Sequence, residues 1–153
     1  NPKIVPPHRK KSRPVSESDL PRILEDVEGM YYLLSQKHGL YKGGLALAHC
    51  QITNRDPLRF FVTNGGEVII NPVITNHTRH TSKKKEACLS YPNKETIQKD
   101  RYNKIEIEYQ DLEHDESGFK ISDIKEKSLS GVEAQVYQHE IDHFNAVYCF
   151  DET

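Results

Sequence analysis

Gln138-His139-Glu140-Ile141-Asp142-His143 is the stretch on which the reading of this chain turns. On an α-helix, His139 and His143 stand one above the other on a single face. Two imidazoles at that spacing can grip one metal ion, and the Glu beside the first can reach a water on that ion. The surrounding residues favour a helix. Ser130-Gly131-Val132-Glu133 reads as a capping box, with Ser130 as N-cap and Glu133 at the third helical position. Val132, Val136, Tyr137, Ile141 and Phe144 follow at three- and four-residue spacing, and no Pro interrupts them. An exposed amphipathic helix that happens to carry two histidines is the blander reading, and cap and periodicity together argue against it. Asp142 points away from the His139/His143 face and reads as a supporting carboxylate rather than a ligand.

The chain around this helix has the size of one domain, 153 residues, with 29% charged and 35% hydrophobic residues. A formal charge of −2 gives no general drive toward DNA or an anionic membrane. No apolar run approaches the roughly 20 residues of a membrane span. Three cysteines, Cys50, Cys88 and Cys149, are too few and too odd for a disulfide framework, and free thiols suit a reducing compartment such as the cytoplasm.

Residues 1–17 are rich in Pro and charge and read as an extended, solvated arm; residues 18–153 then form a single catalytic domain. Leu20, Ile23, Leu24, Val27, Met30, Tyr31 and Leu34 trace an apolar stripe over 18–38, a helix with Pro21 in its first turn and Gly39 as its stop. Gly43-Gly44 precedes a small apolar run that ends in His49-Cys50-Gln51, a tight turn into a buried strand. Residues 59–63 and 67–70 read as a hairpin around Asn64-Gly65-Gly66, its second strand stopped by Asn71-Pro72. A further strand fits 73–80, where His77 and His80 face solvent. Lys83-Lys84-Lys85 reads as a solvated basic loop. Strict alternation at 105–109 makes a half-exposed strand, with 119–124 as its hairpin partner. The fold class is therefore α+β, with antiparallel sheets packed around the metal-bearing helix.

Two histidines leave a metal site at least one ligand short. Little chain follows His143, and Asp151 and Glu152 would need a sharp reversal to reach back, so the missing ligand belongs upstream. A thiolate is the strong candidate. Cys149 is six residues past His143 and fits packing at the helix end, which leaves Cys50 and Cys88 both open on sequence chemistry alone.

Three separated segments resemble the signature motifs of the peptide deformylases. Gly44-Leu45-Ala46-Leu47-Ala48-His49-Cys50-Gln51 is similar to the family's first motif, Glu86-Ala87-Cys88-Leu89-Ser90 to its second, and Gln138 to His143 matches its third in full. Order and spacing agree, as do Ile70-Asn71-Pro72 and Leu129-Ser130-Gly131. The resemblance covers roughly residues 18 to 151 and implies an enzyme that removes the formyl group from N-formyl-methionyl peptides, releasing formate. It implies one divalent ion held by Cys88, His139 and His143, with Fe²⁺ as the usual native metal and Zn²⁺, Ni²⁺ or Co²⁺ also accepted. Glu140 would move the proton, and Gln51 with the backbone N–H of Leu89 would stabilise the oxyanion. Gly44, Leu45 and Tyr91 would pair with or line an extended substrate, and Val136 would help form the methionine pocket. A Glu86–Arg101 contact would steady the second motif. A monomer in transient contact with the ribosome is the implied setting.

Several residues depart from the family pattern. Ala46 and Ala87 stand where Gly is usual, His49 replaces a small Ala, and Gln135 is polar where an apolar pocket residue is expected. If either Ala position requires positive φ, the methyl strains the backbone. His49 either alters substrate contacts or packs beside Gln51. A zinc peptidase, a catalytically silent binder of formylated chains and a structural zinc domain are the competing readings. The first needs a downstream ligand, the second sits poorly with a retained Glu140, and the third normally needs four protein ligands.

Overall fold

Ser16 and Asp19 start the first helix: the Asp19 carboxylate accepts the Ser16 backbone N–H at 2.8 Å and is gripped by Arg13. A 3₁₀ turn at Glu17–Asp19 leads into α1, Leu20–Ser35. The computed structural model of the chain describes residues 3–36 and 44–151, so the expected stop at Gly39 and the first of the paired glycines, Gly43, lie outside the described residues. The apolar stripe is seated as its spacing predicts, with Ile23, Val27, Met30 and Leu34 buried and Leu33 buried beside them.

Among the described residues nine strands follow: β1 (Ala46–Ala48), β2 (Phe60–Thr63), β3 (Val68–His77), β4 (Thr81–Glu86), β5 (Ile97–Tyr102), β6 (Lys104–Gln110), β7 (Leu112–Asp115), β8 (Gly118–Ile121) and β9 (Lys125–Ser130). The main sheet is antiparallel, in the order β1-β2-β3-β6-β9. β2 and the start of β3 are apolar on both sides because both faces are covered there, while β6 alternates buried Ile with exposed charge. Phe60, Val62, Val68 and Ile70 point to α1, whereas Phe61, Ile69, Ile105, Ile107 and Leu129 point to the last helix, α2 (Gly131–Phe144). Each fully buried side chain of this kind is worth about 2 kcal/mol of transfer free energy, and α2 is thereby held against the sheet.

The expected hairpin of β2 and β3 is present, paired from Phe60↔Ile70 to Val62↔Val68. The strand does not stop at Asn71-Pro72, however. β3 continues to His77 through a register shift between Ile70 and Val73, with Asn71 at φ 50°. Pro is tolerated at such a bulge, and the Asn71 side chain bonds both the N–H and the carbonyl of Val15.

Residues 83–85 are not a loop but the middle of β4, paired with β5 from Thr81↔Tyr102 to Glu86↔Ile97. Residues 119–124 do not partner 105–109. β8 pairs with β7, and both edges of β6 are already taken, by β3 and β9. The two-residue separation of β7 and β8 makes the local hairpin the shorter closure.

Ser130 is the N-cap of α2, in extended conformation, but its side chain makes no capping bond and the expected box with Glu133 does not form. Gly131 at φ +60 redirects the chain instead, its N–H bonded to the Asn103 carbonyl. Residues 3–16 form no regular element apart from an isolated bridge between Arg13 and Leu58, and they are packed rather than solvated. Ile4 and Val15 join the α1 core, Val5 N–H bonds the Gln51 carbonyl, and Ser12 N–H bonds the Phe144 carbonyl.

Candidate active site

The helix α2 carries its two histidines into the interior, and Gln138 fixes its rotation. The Gln138 amide donates to and accepts from the backbone of Tyr102, both at 2.9 Å, tying α2 to β5. His139 and His143 then face the same way, ring centroids 4.6 Å apart, both buried. Cys88 meets them from the segment after β4: the ligand atoms of Cys88, His139 and His143 all lie within 4.8 Å of one another. The Cys88 Sγ to His143 Nε2 distance is 3.7 Å. Donors bound tetrahedrally at the usual lengths stand roughly 3.3–3.6 Å apart, so the three atoms fit one metal ion with little movement.

The supporting shell is built from charge. The Glu86 carboxylate accepts Arg101 Nε at 2.6 Å, Arg101 Nη2 at 2.7 Å and His139 Nδ1 at 2.8 Å. Arg101 Nη1 reaches on to Asp142 at 2.6 Å. Burial works to raise the Glu86 carboxyl, but Arg101 and His139 outweigh it and hold it down at about 2. With Nδ1 on the Glu86 carboxylate, His139 turns Nε2 toward the site. Burial works to lower the His139 pKa, but Cys88 and Glu86 outweigh it and hold it up at about 10, so a bound ion would take the place of the Nε2 proton. The Glu86–Arg101 contact anticipated from sequence is therefore present, and Asp142 sits on its far side. What sequence reasoning missed is the link from Glu86 to His139; a carboxylate two residues ahead of a candidate thiolate was the available signal.

Glu140 lies between the donors, its oxygens 3.9 Å from His139 Nε2 and 4.0 Å from His143 Nε2. Burial pushes its carboxyl up to about 7, against the pull of the His139 charge. Its Oε1 is buried without a hydrogen-bond partner among the described residues, as expected where a further group is to be received. His143 is driven well below its ordinary value by burial and by His139, which keeps it neutral.

Gln51 approaches from the other side. Its Oε1 accepts the Ala48 N–H at 2.9 Å, so its NH₂ is turned inward, 3.0 Å from Ser90 Oγ and 3.7 Å from Cys88 Sγ. Ser90 is the second residue that sequence reasoning passed over. Leu89 follows Cys88 directly, and its backbone N–H has no acceptor among the described residues.

A cavity of about 740 Å³ opens above these groups, and Gly44, Leu45, Gln51, Cys88, Leu89, Tyr91, Val136, His139 and Glu140 all line it. His143 is fully buried behind its wall. Gly44 is closely approached rather than held at positive φ: a Cβ there would meet Leu89 Cδ1 at 3.0 Å, and the Leu89 side chain would have to shift by a few tenths of an ångström. Gln135 also lines the cavity, its Nε2 bonded to the Lys85 carbonyl at 2.7 Å.

The remaining sequence candidates fall elsewhere. Cys50 is turned to the His143 carbonyl at 3.5 Å, and burial pushes its thiol up to about 12. The chain does reverse sharply after α2, at Ala146 with φ 61°, which brings Tyr148 and Cys149 against Cys88. Asp151 turns away to a two-pronged ion pair with Arg9. Ala46 and Ala87 do not have positive φ, so neither strains the backbone. His49 points away from the cavity, its Nε2 on Asp26 at 2.8 Å and its Nδ1 accepting the Leu58 N–H at 3.0 Å.

The profile of the polypeptide deformylase family matches residues 5–153. A peptide deformylase of Thermotoga neapolitana is 33% identical over 150 residues, covering 94% of this chain and 79% of its own length. Among solved structures, the peptide deformylase of Thermotoga maritima superposes with a TM-score of 0.70 at 32% identity, covering 94% of this chain and 88% of that one. The enzyme of the Vibrio parahaemolyticus bacteriophage VP16T, in complex with actinonin, gives a TM-score of 0.70 at 29% identity, covering 94% of each chain.

Proposed function

The chain belongs to the polypeptide deformylase family, and on that premise we propose how its own residues carry out the reaction. It is a metal-dependent hydrolase that removes the N-terminal formyl group from nascent peptides. One observation carries the assignment of roles: Glu140, with an unpartnered buried oxygen, stands within 4.0 Å of both histidines on the floor of a substrate-sized cavity.

Cys88, His139 and His143 are the proposed ligands. A bound ion supplies Lewis acidity that makes water acidic near neutral pH. Glu140, placed between the two histidines, accepts a proton from the attacking water. The water oxygen bonds to the formyl carbon, the C–N bond breaks, and Glu140 returns the proton to the departing amine nitrogen. Formate and a free N-terminus result. Gln51 Nε2 and the Leu89 N–H point where the formyl oxygen gains charge, each donor worth about 3 kcal/mol. Gly44, Leu45 and Tyr91 flank the extended peptide, and Val136 lines the pocket for the methionine side chain.

Fe²⁺ is the proposed native ion, and a thiolate with two imidazoles also accepts Zn²⁺, Ni²⁺ or Co²⁺. N-formyl-methionyl peptides are the proposed substrates, met by a cytoplasmic monomer in transient contact with the ribosome. Residues 18–153 are read as the catalytic domain and 1–17 as an arm docked upon it. Among the described residues, no helix is long and apolar enough to cross a membrane.

Formate release from a formyl-Met peptide tests this, with protein reloaded anaerobically with Fe²⁺ and a Glu140→Ala variant checked to retain metal. Release by the wild type alone is expected. Silence from metal-loaded, folded wild type across several formyl-peptides overturns the assignment in favour of a silent binder.

A further inference from the structure

The cavity that holds the reacting groups is not electrically neutral at its rim. Lys85 and Lys94 line it, and neither makes an ion pair among the described residues. Lys94 is held in place: its ammonium lies 5.3 Å from the ring centroids of both Tyr91 and Phe150, and its backbone N–H bonds the Tyr91 carbonyl. An ammonium seated on two rings is restrained yet still able to take an anion. The cavity has only two carboxylates in its lining, and both belong to the floor. Glu86 is already saturated by Arg101 and His139, and Glu140 is buried between the histidines. Of the acidic residues nearby in sequence, Glu95 is exposed and Asp151 is taken by Arg9. Lys83, two residues before Lys85, is neutralised by Asp100, which sets Lys85 and Lys94 apart as unmatched charges.

We propose that Lys85 and Lys94 are specificity residues, which favour formyl-methionyl peptides bearing a carboxylate at the second residue after the methionine. This rests on the deformylase reading and adds to it a preference among substrates. A peptide whose formyl carbon sits beside Glu140 leaves along Tyr91, and its next side chains pass the two ammonium groups. Solvent-exposed pairs of this kind are individually weak, about two- to fivefold for each lysine, and they act on encounter as much as on residence.

The test compares kcat/KM for formyl-Met-Ala-Glu-Ser and formyl-Met-Ala-Lys-Ser peptides, with their C-termini amidated, on the Fe²⁺-loaded enzyme. The acidic peptide is expected to be favoured about 3- to 10-fold at low salt, and the preference to collapse near about 0.5 M NaCl, where the screening length is only a few ångströms. In Lys94→Gln the ratio falls toward one, and in Lys94→Glu it inverts. Because the readout is a ratio on one enzyme sample, loss of folded protein does not move it. A wild-type ratio of one or below, or a ratio unchanged in Lys94→Gln, overturns the proposal while the deformylase reading stands. Silence toward both peptides brings down the deformylase reading, and this inference with it.

Discussion

His49 offers the sharpest test of how the departures from the family pattern are to be understood. It sits two residues from Gln51, yet its ring is fully buried on the far side, stacked on Phe60 at 4.6 Å between centroids. Its Nδ1 accepts the Leu58 N–H and its Nε2 donates to Asp26, which fixes the neutral tautomer. In His49→Ala the buried Leu58 N–H loses its acceptor, costing about 1–3 kcal/mol. Loss of the ring leaves a void and removes the contact with Phe60, a further cost of about 1–2 kcal/mol. Asp26 is partly exposed and turns to water at little cost. The total, about 2–5 kcal/mol, lowers Tm by about 5–20 °C in a chain of this size. His49→Phe keeps the volume and should cost only the first part.

The pH dependence carries the same signature. Burial lowers the His49 pKa below the ordinary imidazole value of about 6.5, against the opposing pull of Asp26. The unfolded state therefore binds a proton that the folded state refuses, and stability rises with pH. The His49 contribution is complete above about 6.5 and is lost as pH falls from there through the folded-state value. Urea midpoints for wild type and His49→Phe between pH 5 and 8 (about that range) should converge toward the acid side. Equal midpoints for wild type and His49→Ala refute the buried-bond account. A folded, metal-loaded His49→Phe that loses formate release by more than about tenfold would instead place His49 in the chemistry.

Three other perturbations follow from the site and its supports. Glu86→Gln removes the charge that orients His139 and leaves Arg101 short of its partner, so metal affinity in a chelator competition should fall about 10- to 100-fold; unchanged affinity counts against the supporting role. Gln51→Leu should lower kcat by about 10²- to 10³-fold with metal content intact, and a change confined to KM would remove Gln51 from oxyanion stabilisation. Gly131→Ala should cost about 1–2 kcal/mol in urea unfolding, purely through φ +60, since no atom lies within 4 Å of the added Cβ. A neutral result there means that the chain enters α2 differently.

The parts of the fold legible in the sequence are those whose stability comes from burial. The α1 stripe and the apolar runs at β2 and the start of β3 are written directly into the apolar residues, whereas the expected α2 stripe holds only at Tyr137 and Phe144 in full, since Val132 is exposed and Val136 and Ile141 are half-buried. β4 and β9 are not written there, because their side chains are mostly Lys, Glu and Ser and their faces are only partly covered. Their order comes from backbone pairing, to β5 and to β6, which a side-chain period cannot report. Asn71-Pro72 misleads for a different reason. The dipeptide does break the ladder, but Asn71 bonds to the Val15 backbone and the strand resumes beyond the bulge, so a stop signal marks a bend.

The choice between Cys50 and Cys88 shows why spacing alone could not complete the site. His49–Gln51 forms a single 3₁₀ turn, and with three residues per turn successive side chains leave it about 120° apart. His49 is thus sent toward Asp26 on α1, Cys50 toward the His143 carbonyl, and Gln51 toward Cys88 and Ser90. Three chemically capable residues in a row serve three different surroundings, and only one reaches the cavity. Cys88 reaches it because β4 ends at Glu86, whose carboxylate is already fastened to His139, so the thiol two residues on arrives beside the same ring. The second and third motifs are therefore joined by the Glu86–His139 bond as well as by any shared ion. Cutting that bond should weaken ion binding without displacing α2, which Gln138 holds independently through Tyr102.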